Sequence, residues 1–262
     1  MAEISIRNLR FGFKEGLATP VLGGLNLVVP EGEIVTLFGP NGCGKTTLIR
    51  IMAGLERNYE GDVDLVPKDD ERITVGVVPQ NPVDYLLPWK RVCENLEFYM
   101  EAASLGSQSQ ALDALLATMG LSEHKSLYPY QLSGGLRQKL ALACAISYQP
   151  SILFLDEPFS ALDYMSSIQI AQLIRQQWEQ TRRTTICVCH QPDHSILIGN
   201  RVCVLSPSPA RVISEVEVPA VDRLAPGALE RWEMQKARAT ILRYFNQGIG
   251  RPQEWGGYAT GH

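Results

Sequence analysis

Residues Gly39 to Thr47 read GPNGCGKTT, and this stretch with its flanks decides the fold. It fits G-x-x-x-x-G-K-[ST], a spacing that arises by chance in about 1% of chains of this length at average composition. Its setting narrows the odds. EIVTLF before it is an apolar, β-branched run expected to be a buried strand, and KTTLIRIMAG after it has helical spacing. Strand, loop and helix start together place free backbone N–H groups and a positive helix end around an anion. The glycines let the backbone wrap a phosphate with no Cβ in the way. Lys45 would reach the β- and γ-phosphates of a nucleotide, and Thr46 would hold Mg²⁺. The candidate cradle is Gly39, Pro40, Asn41, Gly42, Cys43, Gly44, Lys45, Thr46 and Thr47. The plainer alternative is a glycine-rich turn with a solvated lysine.

A second run, SILFLDEP, is an expected buried strand ending in Asp156 and Glu157. Carboxylates at the carboxyl end of a parallel strand sit where open α/β sheets bind ligands. Asp156 suits a Mg²⁺ shell. Glu157, one residue on, faces elsewhere and could polarise an attacking water. Alone, the pair could be two solvated acids at a strand end.

QLSGGLRQKL, residues 131–140, begins a helical pattern that runs to Ser147, yet its first turn carries Gly134 and Gly135 side by side. Each glycine costs a helix interior about 1 kcal/mol relative to alanine. Such a bare helix end suits something that must approach the backbone closely. Ser133 before it is a good helix N-cap in any case.

The chain has 262 residues, 45% hydrophobic and 20% charged, enough for one large domain or two small ones. The net charge is −4 and no Lys/Arg run is dense, so a nucleic-acid partner is not expected. MAEISIRNLR has no apolar stretch of signal-peptide length, and no window approaches the ~18 apolar residues of a membrane span. A cytosolic chain able to dock on a membrane protein is expected. The six cysteines are scattered. Cys187 and Cys189 share one strand face beside His190, but no second ligand pair has zinc-like spacing, so buried thiols are expected.

Apolar runs bounded by turn residues recur as ISIRNL, LNLVV, EIVTLF, ITVGVV, ILFLD, TTICVC and RVCVL. Helical patterns follow Gly44 and cover about Trp89 to Ala103, Gly134 to Ser147 and Tyr164 to Gln180. Alternating strand and helix predict an α/β core with a parallel sheet. The first strands lack intervening helices, so an antiparallel β piece is expected to lead the chain. After Pro219 one amphipathic helix is predicted, with Leu229, Trp232, Ala239 and Leu242 as its stripe, and the final RPQEWGGYATGH reads as frayed. That tail could pack on the core, regulate turnover or contact a partner.

LSGGLRQ, Leu132 to Gln138, resembles the signature motif of the ATP-binding cassette (ABC) ATPases, and it lies between the phosphate loop and the acidic strand as in that family. Other motifs follow in the family's order over about residues 3 to 218. Gln80 in VVPQNP looks like the Q-loop glutamine, Ser160-Ala161-Leu162-Asp163 like the D-loop, and His190 like the switch histidine. Phe13 sits where the family stacks an aromatic on adenine, with Phe11 as competitor. The resemblance implies a P-loop NTPase fold: a RecA-like core with an N-terminal antiparallel β subdomain and an inserted α-helical subdomain. It divides the chain into a nucleotide-binding core (1–88 and 148–218), a helical signature subdomain (89–147) and a C-terminal tail (219–262). ATP and Mg²⁺ are implied, with Thr46, Gln80 and Asp156 toward the metal and Glu157, His190 and Gln80 in hydrolysis. Family members work as head-to-tail pairs, so Ser133, Gly134 and Gly135 would cap the γ-phosphate of ATP bound to a second subunit, a copy or a paralogue, with Asp163 nearby. Gln80 could equally be a turn residue, His190 a satisfied strand-end histidine and Asp163 a plain N-cap.

LLPWKRVCENL, Leu86 to Leu96, resembles a run in the nitrate, sulfonate and taurine importer branch. That implies an ATPase subunit on the cytoplasmic face of the inner membrane. It would serve a separate permease and, indirectly, a periplasmic solute-binding protein, for a small anion or sulfonate-like solute. Trp89 would anchor the permease contact or pin the helix start. The alternative is a soluble ABC ATPase with a non-permease partner. The chain departs from the family pattern at Cys144, at Gln191-Pro192 after the histidine, at Lys90-Arg91 and mildly at Asn41.

Overall fold

The computed structural model describes residues 2–13, 20–67, 72–102, 109–160, 162–223 and 225–249. Ala161 and the RPQEWGGYATGH stretch lie outside the described residues. In chain order the elements are β1 (Ala2–Phe11), β2 (Leu22–Val29), β3 (Ile34–Phe38), α1 (Lys45–Met52), β4 (Glu60–Pro67) and β5 (Val75–Val78). Then follow α2 (Val92–Ala102), α3 (Ser109–Thr118), α4 (Gly134–Ser147), β6 (Ile152–Asp156), α5 (Tyr164–Thr181), β7 (Thr184–Cys189), α6 (Pro192–Ile198), β8 (Arg201–Leu205), β9 (Val212–Glu217) and α7 (Trp232–Ile249).

β3, β6 and β7 are buried at every residue, as expected of strands covered on both faces of a parallel sheet. They form the centre of a six-stranded sheet of order β5-β6-β7-β3-β8-β9, parallel except for the β8–β9 pair. A separate antiparallel sheet, β2-β1-β4, leads the chain as expected. Along β1, Ala2, Ile4, Ile6, Leu9 and Phe11 point inward, and the register shift after Ile6 coincides with left-handed Asn8. Gly61 meets that kink from β4, where a Cβ would lie 2.6 Å from the carbonyl oxygens of Arg7 and Asn8. Between Trp89 and Ser147 the described residues hold helices and turns only. Helix α2 starts at Val92 rather than Trp89, because Leu87–Arg91 form a separate turn.

Four elements were not legible. β4 and β9 are edge strands whose acids face solvent, so neither shows a clear apolar alternation. α6 is a seven-residue helix and α3 a ten-residue one, both short for a periodicity reading.

The tail requires a correction. Its helix begins at Trp232, and its buried stripe is Met234, Ala237, Ile241 and Phe245; of the expected residues Leu229 packs on the core from before the helix, whereas Trp232 and Ala239 are exposed and Leu242 is half-buried. Trp232 is 69% exposed. The true stripe packs on Phe38, Ile196, Val202, Val204, Val216 and Val218, so α7 covers α6, β8 and β9. Phe245 meets Phe38 at 5.0 Å between ring centroids. Among the tail's three open roles, packing on the core is therefore realised. Buried Arg223 fastens the entry to the tail by donating to the carbonyls of Gly199 (2.6 Å), Pro219 (3.0 Å) and Val218 (3.1 Å). Among the described residues no helix is long and apolar enough to cross a membrane.

Truncating this stripe should expose its part in stability. Ile241→Ala is expected to cost about 2–4 kcal/mol, read as a lower urea midpoint, whereas Trp232→Ala should move it little. Equal shifts would refute the packing assignment.

Candidate active site

In the sheet, β5, β6, β7 and β3 are successive neighbours, and the residues just past their carboxyl ends are Gln80, Asp156 with Glu157, His190, and the phosphate loop. Four stretches far apart in sequence thus meet along one sheet edge, where α/β sheets bind ligands.

The loop is built around backbone that only glycine tolerates well. Gly44 has φ of 110° and caps α1, and a Cβ there would stand 2.7 Å from Val21 Cγ1. Lys45 is buried and folds along its own loop, Nζ donating to the carbonyls of Gly39 (2.9 Å) and Pro40 (2.9 Å). Cys43 is buried and desolvation pushes its thiol pKa up, so it packs rather than reacts. Thr46 Oγ1 donates to Asp156 Oδ1 at 3.1 Å. Burial raises the Asp156 pKa, while the Thr46 hydrogen bond and the Lys45 charge pull it down. A buried carboxylate beside a hydroxyl is an all-oxygen donor pair of the kind a hard divalent cation takes, so these residues fit Mg²⁺.

Glu157 has φ of 51°, a left-handed backbone that costs about 1–3 kcal/mol for a residue with a Cβ. It is nonetheless buried. Its Oε2 accepts from Gln80 Nε2 at 2.9 Å and pairs with His190 Nε2. Ser160 steadies the arrangement, its N–H donating to the Glu157 carbonyl at 3.0 Å and its hydroxyl to the Gln80 carbonyl at 3.2 Å. Gln191, where the sequence departs from the resembled pattern, makes no part of this contact: His190 reaches Glu157 directly.

The signature stands apart. Ser133 Oγ accepts from Leu136 N–H at 3.3 Å and caps α4. No hydrogen bond joins Ser133, Gly134 or Gly135 to the phosphate loop among the described residues. A Cβ on Gly134 would meet nothing within 4 Å, and one on Gly135 only Ser166 and Leu162 at ordinary contact distance. Neither glycine is required by this chain's own packing. Asp163 does serve as N-cap of α5, accepting from Ser166 N–H (3.0 Å) and Ser166 Oγ (2.6 Å), and these bonds hold its carboxyl below the usual range. Phe13 is 75% exposed and edge-on to Phe11 at 5.1 Å, while Phe11 itself is buried. Cys187 and Cys189 lie with sulfurs 3.7 Å apart in the core, all six cysteines are free, and no metal-binding cluster exists among the described residues.

Sequence reasoning missed two positioning residues. Asn95 is fully buried, accepting from Leu87 N–H (2.8 Å) and donating to the carbonyls of Leu87, Lys90 and Arg91. It clamps the Leu-Leu-Pro-Trp turn on α2 and leaves Trp89 71% exposed. An asparagine among apolar helix positions was the available signal. His194 is also buried, its Nε2 2.9 Å from Ser167 Oγ and its ring on Phe159 at 4.3 Å; burial pushes its pKa down to about 4, so it stays neutral.

Comparison with known proteins gives the family. The ABC transporter family pattern matches residues 22–160. The aliphatic sulfonates import ATP-binding protein of Bacillus licheniformis is 36% identical over 248 residues, covering 92% of this chain and 93% of that protein. The taurine import ATP-binding protein of Jannaschia sp. (strain CCS1) is 33% identical over 228 residues, covering 85% and 84%. Among solved structures, the dimeric ATP-binding cassette MJ0796, in a post-hydrolysis state bound to ADP and Pi, aligns with a TM-score of 0.69 at 26% identity, covering 83% of this chain and all of that one. The phosphate loop, the acidic strand end and the bare signature helix therefore have one common explanation: this chain belongs to the ABC transporter family of ATPases.

Proposed function

We propose that this protein is the ATP-hydrolysing subunit of an importer that takes up a small sulfonate-like anion through a separate membrane permease. The observation that carries it is the convergence of Gln80, Asp156, Glu157, His190 and the phosphate loop at four adjacent strand ends. The printed names of the relatives support the import role and the solute class.

Phosphoryl transfer needs mainly positioning and charge neutralisation. Lys45 exchanges the carbonyls of Gly39 and Pro40 for the β- and γ-phosphates of ATP. Phe13, already exposed, stacks on the adenine. Thr46 and Asp156 would hold Mg²⁺, with Gln80 as the further candidate, and the ion would supply neutralisation of phosphate charge. Glu157 takes the proton of an attacking water; Gln80 and His190 both hold its Oε2, which leaves Oε1 for the water. Rotation of the His190 side chain turns its Nε2 to the γ-phosphate oxygens. Ser133, Gly134 and Gly135 act on the ATP of a second subunit, and Asp163 faces that same junction. This explains glycines that the chain's own packing does not require. The division into a core (1–88, 148–218), a helical subdomain (89–147) and a tail (219–262) follows the same scheme. The helical unit carries the signature, and Trp89 presents a contact for a permease. Its working place is the cytoplasmic face of the inner membrane, with a periplasmic binding protein delivering solute on the far side.

Glu157→Gln should bind ATP, lose turnover by about 10²–10³-fold and accumulate as closed dimers on size exclusion with ATP; near-normal hydrolysis would remove Glu157 from its role. Gly134→Ala tests the glycines. The monomer should gain up to about 0.5–1 kcal/mol in denaturation, while ATP hydrolysis falls several-fold. Unchanged turnover would sink the cross-subunit reading. Tagged protein drawn from gently solubilised native membranes should bring a multi-span permease with it, and Trp89→Ala should weaken that recovery while leaving basal ATPase intact. Recovery of soluble partners alone would refute the importer assignment.

A further inference from the structure

At the opposite end of the sheet, where β6 and β7 begin, a pocket of about 550 Å³ opens between the helical layer and the core. Met100 of α2, Leu115 of α3 and Ile146 of α4 form an apolar wall. Ser147, Gln149, Ser151, Gln177, Thr181 and Arg183 line the rest. No acidic side chain is among the lining residues.

Arg183 is the unusual member. It is 8% exposed. Among the described residues no hydrogen bond or ion pair holds its guanidinium, and no carboxylate acts on it; the Tyr148 phenol is the one group that favours its charge. Burial pushes its pKa down, but arginine remains protonated at any physiological pH. The neighbouring arginines are treated differently. Arg175 bonds Glu179 at 2.9 Å, Arg201 pairs with Glu33 at 2.9 Å, and Arg223 holds carbonyls. Arg182 stacks on Trp178 at 4.3 Å. The left-handed turn at Arg182, with φ of 50°, sends the next side chain inward instead. Exposed Gln149 and half-buried Gln177 also line the pocket, and their amides make no side-chain hydrogen bond among the described residues. A buried charge is normally paired, because desolvation penalises it heavily otherwise. Here the fold keeps a cation and two amides around a cavity of ligand size, with apolar surface opposite, while the Ser147, Ser151 and Thr181 hydroxyls are engaged with Cys144, Thr74 and Gln177.

We propose that this pocket binds a small organic oxyanion, a carboxylate or sulfonate whose charged head pairs with Arg183 and whose aliphatic part lies against Met100, Leu115 and Ile146. The head receives a bidentate pair from the guanidinium, the geometry arginine is suited to. The amides of Gln149 and Gln177 donate to the remaining oxygens. The occupant touches α2, α3 and α4 on one side and α5 and the start of β7 on the other, so it ties the helical layer to the core far from the phosphate loop.

Calorimetric titration of the full chain with 1-butanesulfonate tests this, with ADP and Mg²⁺ saturating the phosphate loop so that the probe cannot bind there. Saturable one-to-one binding is expected, weaker for inorganic sulfate, which lacks the aliphatic part, and absent for butylammonium and 1-butanol. Arg183→Gln should weaken it about tenfold or more and leave ADP affinity unchanged. Ala111→Trp, on the pocket's exposed rim, should block the probe while keeping the arginine, and it decides the matter if Arg183→Gln fails to fold. Undiminished binding by both variants, equal binding of 1-butanol, or no saturable binding up to about 10 mM would overturn the proposal.

Discussion

One carboxylate oxygen ties the site together. Glu157 Oε2 is reached by Gln80 from past β5 and by His190 from past β7, while Glu157 itself directly follows β6. Three strand ends therefore converge on one atom, and the convergence holds only while the three strands keep register. That register is held by the strand pairing. β6 and β7 are buried at every residue, polar Asp156, Thr184 and Thr185 included, and their ladder sets Leu155 beside Cys187 and Asp156 beside Val188. The left-handed backbone at Glu157 belongs to the same arrangement: it turns the side chain away from the Asp156 direction, giving adjacent carboxylates separate partners. Asp156 faces Thr46 and the loop; Glu157 faces the glutamine and the histidine.

Stability is given up at several of these points. Left-handed Glu157, desolvated Asp156, and glycines opening α4 all work against folding. The large apolar clusters on both sides of the main sheet offset them. Gly44 differs from Gly134. A Cβ on Gly44 would strike Val21, so the fold itself demands glycine there, whereas Gly134 faces open space. Two glycines that look alike in sequence thus differ in kind: packing within the chain requires one and not the other.

The parts legible in sequence were those where a local pattern and a chemical need coincide. The phosphate loop, the DE pair and the signature each combine an unusual composition with an expected element boundary, and α4 spans Gly134–Ser147 as read. The central strands were visible because two-sided burial writes a continuous apolar run. Edge strands β4 and β9 were not, because their acids face water and leave only partial burial. The tail stripe was misassigned because Trp232 and Leu242 look like anchors, yet the helix turns Met234 and Ile241 to the core instead. Tertiary contact chose between two apolar faces that periodicity alone could not rank. Asn95 and Arg183 were invisible for another reason: a lone polar residue carries meaning only once its buried surroundings are known.

The corrected tail bears on the site itself. α6 begins two residues past His190, and α7 braces it through Ile241 packing on Ile196 and an Arg238–Asp193 ion pair at 2.7 Å. Arg223 fixes the far end of α6 by holding the Gly199 carbonyl. The helix following the histidine is thus clamped at both ends by the last quarter of the chain. His190 therefore follows a strand and precedes a helix held on both sides, and rotation of its own side chain is the local freedom this packing leaves it.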